Sequence, residues 1–453
     1  MLNPSFVSAA PTAAGAQDRL QVQAAWADLD RAARVEAFTG LARPLREELF
    51  HALSTHDQAE LLSALPPREQ RWWLRALDPD DAADLIQHLE QDAGGDRAEL
   101  LALLDPAARR EVTALLAYAE DAAGGLMNPR FSTVRADATV DEALAYLRQR
   151  ARHADTQAFE TTYYVYVLEA QRPVGVLSIR RLLAAGPGLR VRDVMHRELV
   201  TVPDTLDQEA VARIFADEDL LALPVVDAEG RMKGIITADD IVDVVREEAT
   251  EDLQKFGGME ALDAPYLRSR LSDLIQKRAG WLSLLLVGEM LTTSAMGYFE
   301  HEIQQLVVLA LFVPLIISSG GNSGSQASTL VIRAMALGEV RLTDGLRVAR
   351  REIAAGAALG LTLGVIGFLR VILWQALFHT YGDQAMGVAA TVATSLFGVV
   401  MFGCLSGAML PFALKRAGLD PASASAPFVA TLVDVTGIVI YFSAASFWLG
   451  LGG

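Results

Sequence analysis

Apolar positions fall into three successive patterns along the chain. From about residue 18 to Glu120 they recur at helical spacing, cut by start signals: Ser54 and Thr55 precede HDQAELLSAL, Asp78 with Pro79 precedes DDAADLIQHL, and Asp105 with Pro106 precedes AARREVTALL. In each Asp-Pro pair the acid can cap free amides, and the proline sits at the first helical position, where its missing N–H does no harm. This predicts stacked short helices, an α-superhelical domain over 18–124, after a poorly ordered start over 1–17. Between Met127 and Val245 strands alternate with helices, and the pattern occurs twice. Each copy opens on a Met-centred turn, passes through an extended segment and a helix, and ends in a hairpin, a glycine and a last helix. Two α/β domains are predicted, 125–186 and 187–249. Residues 250–278 read as a connecting helix. After Arg278 the apolar runs are long enough to cross a bilayer. Five spans are predicted: about Ala279–Tyr298, Gln304–Met335 with an interruption, Ile353–Phe378, Met386–Leu414 and Pro427–Leu451. The fold class is multidomain, with an all-α five-helix transmembrane domain over 279–453.

Composition sharpens this division. The 52% hydrophobic content gathers after Arg278, so the 453 residues divide into a soluble half and a membrane half. The net charge of -17 comes mostly from the soluble half. It argues against nucleic acid as a partner and for cations as ligands, although acidity also serves plain solubility. Cys404 is the single cysteine, so no disulfide framework exists and a reducing compartment is expected. The opening MLNPSFVSAAPTAAGAQDRL has neither the basic start nor the apolar core of a secretory signal, which predicts a cytoplasmic soluble half. Arg268, Arg270, Lys277 and Arg278 precede the first span; Arg333, Arg341, Arg347, Arg350 and Arg351 fill the second loop or its edge, and Lys415 with Arg416 the fourth. By the positive-inside rule the N-terminus is cytoplasmic and the C-terminus extracytoplasmic. Arg370, inside the third span, is expected to snorkel outward. No GxxxxGK[ST] loop occurs, so pumping by ATP hydrolysis is not expected. Nor does any nucleophile and base pair stand at catalytic spacing, which argues against an enzyme.

The candidate chemistry lies in carboxylates. Asp434 sits a third of the way into the apolar run PFVATLVDVTGIVIYFSAASFWLG, where a charge costs on the order of 2.5 kcal/mol or more. It either faces a bundle interior or a watered cavity, or is a packing carboxylate satisfied by a neighbouring helix. Glu289 in the first span has two readings, a pore residue or a partner for a polar group on another helix. The second span carries Pro314, Gly320, Gly321, Asn322, Gly324 and Gln326, which would kink an ordinary helix. Irregular backbone at membrane depth is tolerated where it lines a polar cavity, and freed carbonyls with Asn322 and Gln326 could then face a hydrated ion. A close-packed small-residue interface is the other reading. ADDIVDVVREEATEDLQKF places Asp240, Asp243, Glu247 and Glu251 on one helical stripe, with Glu248 and Asp252 adjoining. Such a stripe calls for a cation or a basic partner unless it is a plain solvated face. Trp72 and Trp73 read as packing residues rather than a ligand box.

The doubled α/β pattern resembles tandem CBS domains, which bind adenine nucleotides or other small effectors. GIITADD supplies Thr237 and Asp240 at the spacing such domains use for a ribose and phosphates; in GVLSIRR Ser178 matches, but Arg181 stands where the acid would be. The resemblance thus implies one nucleotide site, with ATP as a regulatory ligand. Together with AEDAAGGLMNPRF, EEATEDLQKFGGME, PLIISSGGNSGSQ and DPASASAPFVATLVDVTG, the whole chain looks like the MgtE family of magnesium transporters. That likeness implies a homodimer in the cytoplasmic (inner) membrane whose Asp434 residues meet on the axis, with an N-terminal superhelical domain, a CBS pair and a plug helix that together sense cytosolic Mg2+. By position in the matching motifs it implies Glu209, Asp219, Asp240, Asp243, Glu251 and Asp252 as sensor ligands. Ala426 stands where many relatives carry a polar residue. Paired carboxylates suit Mg2+, which keeps several of its waters. The expected function is a Mg2+ channel or transporter closed by cytosolic Mg2+; the alternatives are a nucleotide-responsive membrane sensor or a transporter of Co2+ or Mn2+.

Overall fold

The helix start signals set the architecture of the N-terminal region in this computed structural model, which describes residues 13–152, 163–262, 266–267 and 269–450. Helices α1 (Ala13–Ala25), α2 (Arg31–Gly40), α3 (Arg43–Ala52), α4 (Thr55–Ala64), α5 (Pro67–Ala76), α6 (Pro79–Ala93), α7 (Arg97–Leu103) and α8 (Pro106–Leu115) follow one another. The first begins inside the stretch expected to lack order, and residues 1–12 lie outside the described residues. Ser54 Oγ accepts from the Asp57 N–H at 3.2 Å, and Asp105 Oδ1 accepts from Ala107 and Ala108 at 2.9 and 3.0 Å. Asp78 does not cap as expected; its carboxylate turns to Arg130, 3.6 Å away. Trp73 is 2% exposed and packs on Phe38 and Phe50 with ring centroids 5.1 and 4.6 Å apart, while Trp72 lies edge-on to it.

The duplication is visible strand by strand. A short helix α9 (Ala123–Leu126) leads to β1 (Thr133–Arg135), α10 (Val140–Arg152), β2 (Tyr164–Glu169), β3 (Arg172–Ser178) and α11 (Ile179–Ala184). The second copy runs α12 (Val191–Val194), β4 (Val202–Pro203), α13 (Gln208–Glu218), β5 (Ala222–Val226), β6 (Met232–Thr237) and α14 (Ala238–Phe256). In each sheet the first two strands are parallel and the last two form a hairpin with one register shift, at Val167/Leu168 and at Val225/Val226. The Met-centred turns cross between copies. Asn128 exchanges backbone hydrogen bonds of 2.7 and 2.9 Å with Ile235 on β6, and His196 exchanges two of 2.9 Å with Val176 on β3. The glycine of each hairpin is required there, since a Cβ at Gly234 would strike Met127 at 2.8 Å and one at Gly175 would strike Met195 at 2.6 Å.

The expected connecting helix over 250–278 is instead parts of two helices. Its start belongs to α14, which ends at Phe256 before Gly258, whose φ of +74° an L side chain resists. Its end belongs to α15 (Leu271–Tyr298), which continues as the first span. A division into two units falls within α14, between Arg246 and Glu247.

In the C-terminal unit α15 is followed by α16 (Glu300–Gln305), α17 (Val313–Ala336), α18 (Gly345–Phe378), α19 (Ala385–Arg416) and α20 (Ala426–Leu449). Among the described residues five helices are long and apolar enough to cross a membrane. The predicted interruption of the second span is absent from its glycine run: α17 is continuous, with Pro314 in its first turn, where no N–H is missed. The irregular segment of this span lies upstream, a 3-10 turn over Val307–Phe312. The glycines serve contact. A Cβ at Gly407 would stand 2.1 Å from the Gly324 carbonyl oxygen, and one at Gly403 would stand 2.4 Å from that of Gly320. Backbones of α17 and α19 therefore touch, as small residues allow in lipid, and α20 lies against both. Gly407→Val should force these helices apart and cost about 3 kcal/mol or more. Thermal melting of the detergent-solubilised protein should show a large drop for this variant and little change for Gly297→Ala, where a Cβ meets nothing within 4 Å.

Candidate functional site

Ser425 caps α20, accepting from the Phe428 N–H at 3.4 Å, and Pro427 occupies its first turn. The helix buries Val433 and Gly437 against α17 and α19, which leaves the intervening Asp434 half-buried on another side. There it meets α15. A Cβ at Gly288 would lie 2.6 Å from Thr431, an approach that brings the next residue, Glu289, into hydrogen-bonding reach of Asp434. Two carboxyl groups this close in an apolar setting need a shared proton or a cation between them. Among the described residues neither forms an ion pair with a base. Of the other predicted pore residues, Gly321 is buried facing Ala430 at 3.5 Å, one turn from Asp434. Asn322 and Gln326 share an exposed face of α17 in the single chain. No carbonyl of this run is freed by a break, so the small-residue packing reading describes the backbone.

A second group of acids forms in the N-terminal unit, where the starts of α6 and α14 bring Asp81, next to Asp78, into electrostatic range of Asp239, Asp240 and Asp243. Burial pushes the Asp81 carboxyl up to about 6, and repulsion from Asp78, Asp239 and Asp243 adds to it. The Asp81 residue surface is open to water, which screens part of this repulsion. Burial likewise raises Asp240 to about 6, against the lowering effect of its hydrogen bonds from Thr237 and with repulsion from Asp239 and Asp81 added. Thr237 donates to Asp240 Oδ2 through both its N–H, at 2.9 Å, and its hydroxyl, at 2.7 Å. The two residues marked for a nucleotide thus hold each other at the start of α14. Sequence reasoning missed Asp81, and it read Asp78 as a cap. The signal was their position in the first turn of one acidic helix, PDDAADL, that ends up beside another.

The remaining predicted sensor acids are placed apart. Glu209 pairs with Arg213 at 2.8 Å on α13, and Asp219 ends that helix in the left-handed region with φ +50°. Asp243 lies 3.5 Å from Arg246. Glu251 is ion-paired with Lys255, which reaches Asp420 at 2.7 Å in the turn before α20, and Asp252 follows on the same helix. Burial disfavours the Lys255 ammonium, but the hydrogen bonds to Asp420 and Glu251 outweigh it and hold its pKa above the usual lysine value. Among the described residues no three His, Cys, Asp or Glu side chains converge to hold a metal.

Asp81 and Asp240 bind protons more tightly folded than unfolded, so their contribution is full below about pH 4 and is lost as pH rises through about 6. In chelator the melting temperature should therefore fall across that window, and either Mg2+ or Asp81→Asn should flatten the fall.

Comparison with known proteins agrees with this layout. Family profiles match in order: "MgtE intracellular N domain" over 20–121, "CBS domain" over 123–188 and 191–247, and MgtE, "Divalent cation transporter", over 313–444. The chain is 44% identical over 344 residues to the magnesium transporter MgtE of Thermus thermophilus, covering 76% of this chain and 73% of that protein. It is 33% identical over 347 residues to MgtE of Bacillus subtilis, covering 76% and 74%. A crystal structure of the cytosolic domain of the Mg2+ channel MgtE in complex with ATP is 42% identical over 50% of this chain and 90% of that one, with a TM-score of 0.46. A helical N-terminal domain, a CBS pair and five apolar helices in this order, with relatives at this identity over most of the chain, make the protein a member of the MgtE magnesium transporter family, a membrane transporter and not an enzyme.

Proposed function

We propose that the protein conducts Mg2+ across the cytoplasmic membrane as a homodimer, with Asp434 of each copy at a shared pore and cytosolic acids closing it when Mg2+ is plentiful. The observation that carries this is the intramembrane pair Asp434 and Glu289, held together with no basic neighbour among the described residues. A strongly hydrated divalent cation satisfies both carboxylates while keeping several waters. It is held without being trapped, which conduction requires. A second copy is supported by the uncovered state of α15, no part of whose apolar window is buried in the single chain, and by the open face bearing Asn322 and Gln326. The basic loops put the N-terminus in the cytoplasm and the C-terminus outside. Flow follows the membrane potential.

For gating, Asp81, Asp239 and Asp240 repel one another until a cation enters, Asp78 and Asp243 join them on leaving Arg130 and Arg246, and bound Mg2+ favours the closed arrangement. The other sensor candidates, Glu209, Asp219, Glu251 and Asp252, take part only if they leave their present local partners. ATP at Thr237 and Asp240 is a regulatory ligand on this reading, and it requires that those two side chains release each other. The site offers oxygen donors alone, which also suit Mn2+, so the choice among divalent cations is read from flux rather than from the donors.

Both Asp434→Ala and Asp434→Asn should lower Mg2+ influx into liposomes by about tenfold or more, the loss of one charge-assisted ligand; wild-type flux in both would remove the pore assignment. Asp81→Asn with Asp243→Asn should leave conduction intact but require more cytoplasmic-side Mg2+ for closure. Lys255→Ala, which frees Asp420 and Glu251, should shift that closing concentration while leaving the flux at low Mg2+ unchanged.

A further inference from the structure

The hydroxyl of Thr292 is an unanswered polar group on α15. Its Oγ1 is buried, yet among the described residues it has no hydrogen-bond partner. A threonine inside a helix can donate to the carbonyl four residues back. Thr362, Thr391, Thr431 and Thr436 do so elsewhere in the transmembrane unit, at 2.9, 2.8, 3.1 and 3.1 Å. Thr292 leaves the carbonyl of Gly288 unused. A hydroxyl withheld both from water and from its own helix costs free energy until something bonds to it.

Its place points to that partner. Thr292 stands three residues after Glu289 and four after Gly288, so it lies over both, one turn further along α15. The long helix that packs on α15 is α20, with Thr431 against Gly288 and Asp434 in reach of Glu289. The rise from Glu289 to Thr292 is about 4.5 Å. A cation that keeps its waters reaches its next acceptors through them, about 4 to 5 Å from the metal. Water on a metal donates outward, and a hydroxyl oxygen can receive it. We propose that Thr292 is a further residue of the conduction path, its hydroxyl oxygen accepting a hydrogen bond from a water carried by the divalent cation at Asp434 and Glu289. The assignment rests on the pore reading given above and adds to it a neutral group that recognises the hydration shell of the ion rather than its charge. Mg2+ gives up its waters reluctantly, so an acceptor for those waters favours it over cations that enter stripped.

The test is Mg2+ influx into liposomes holding the full-length protein, measured against Mg2+ concentration, together with thermal melting in chelator. Thr292→Val keeps the shape of the side chain and removes the hydroxyl. It should raise the half-saturating Mg2+ concentration about fivefold, the worth of one neutral hydrogen bond, and change the maximal influx less. Its melting temperature in chelator should equal or exceed that of the unsubstituted protein, because no bond within the fold is lost. Thr292→Ser retains a hydroxyl and should recover most of the affinity. Unchanged half-saturation in Thr292→Val, an equal loss in Thr292→Ser, or a lowered melting temperature in Thr292→Val would each overturn the assignment, the last by revealing a structural bond instead. Asp434→Asn separates the two readings. Wild-type influx in that variant removes the pore itself, whereas reduced influx there beside an unchanged Thr292→Val removes the role of Thr292 alone.

Discussion

A carboxyl group inside a membrane-spanning helix sets the terms for the rest of the transmembrane unit. Its charge costs several kcal/mol unless something answers it, so the helix that carries it must be held at one rotation. The sequence accomplishes this with glycine. Gly320 takes Val399 and Val433 into the space a side chain would fill, and Gly324 takes Val429 and the Gly403 backbone. With Val433 and Gly437 locked inward, Asp434 has one direction left, toward α15. The polar feature thus rests on apolar contacts between three helices that contribute no chemistry of their own.

The same electrostatic problem recurs outside the membrane and is solved in two different ways. At Glu251 and Asp420 the protein supplies its own cation, Lys255, tethered by a hydrogen bond to Asp420 and an ion pair to Glu251. Such a contact is insensitive to metal concentration because its counter-charge is covalently attached. At Asp81 and Asp240 burial, with repulsion from neighbouring acids added, makes both carboxyls bind protons more tightly. Such carboxyls favour a proton or a cation over bare charge.

Much of this was legible in the sequence, and the failures share a cause. The doubled α/β pattern and the five apolar runs could be read because each is local, a period or a length. The crossing of Met127 onto Gly234 and of Met195 onto Gly175 was not, since it is a contact between copies that no local pattern announces. Pro314 and the glycines of α17 left two readings open, a break lining a cavity or a close-packed interface; in lipid every backbone group must bond within its own helix, and glycine there signals proximity. Asp78 carried a capping signature, yet Arg130 competes for it from a distant part of the chain. The intramembrane acid Asp434 was visible as an anomaly in its run, while its partner Glu289 could be named only as one of two possibilities. Pairing is a tertiary fact.

Helix α14 gains its importance from these placements. It is one unbroken element of 19 residues, about 28 Å long. Its first turn carries Asp239 and Asp240, and its last turn carries Lys255, joined to Asp420. Between them acids recur at spacings three and four apart, which weakens an isolated helix by a few tenths of a kcal/mol per pair. The helix therefore depends for its order on what neutralises those acids. At its end, Asp420 belongs to the turn that leads through Ser425 and Pro427 directly into α20.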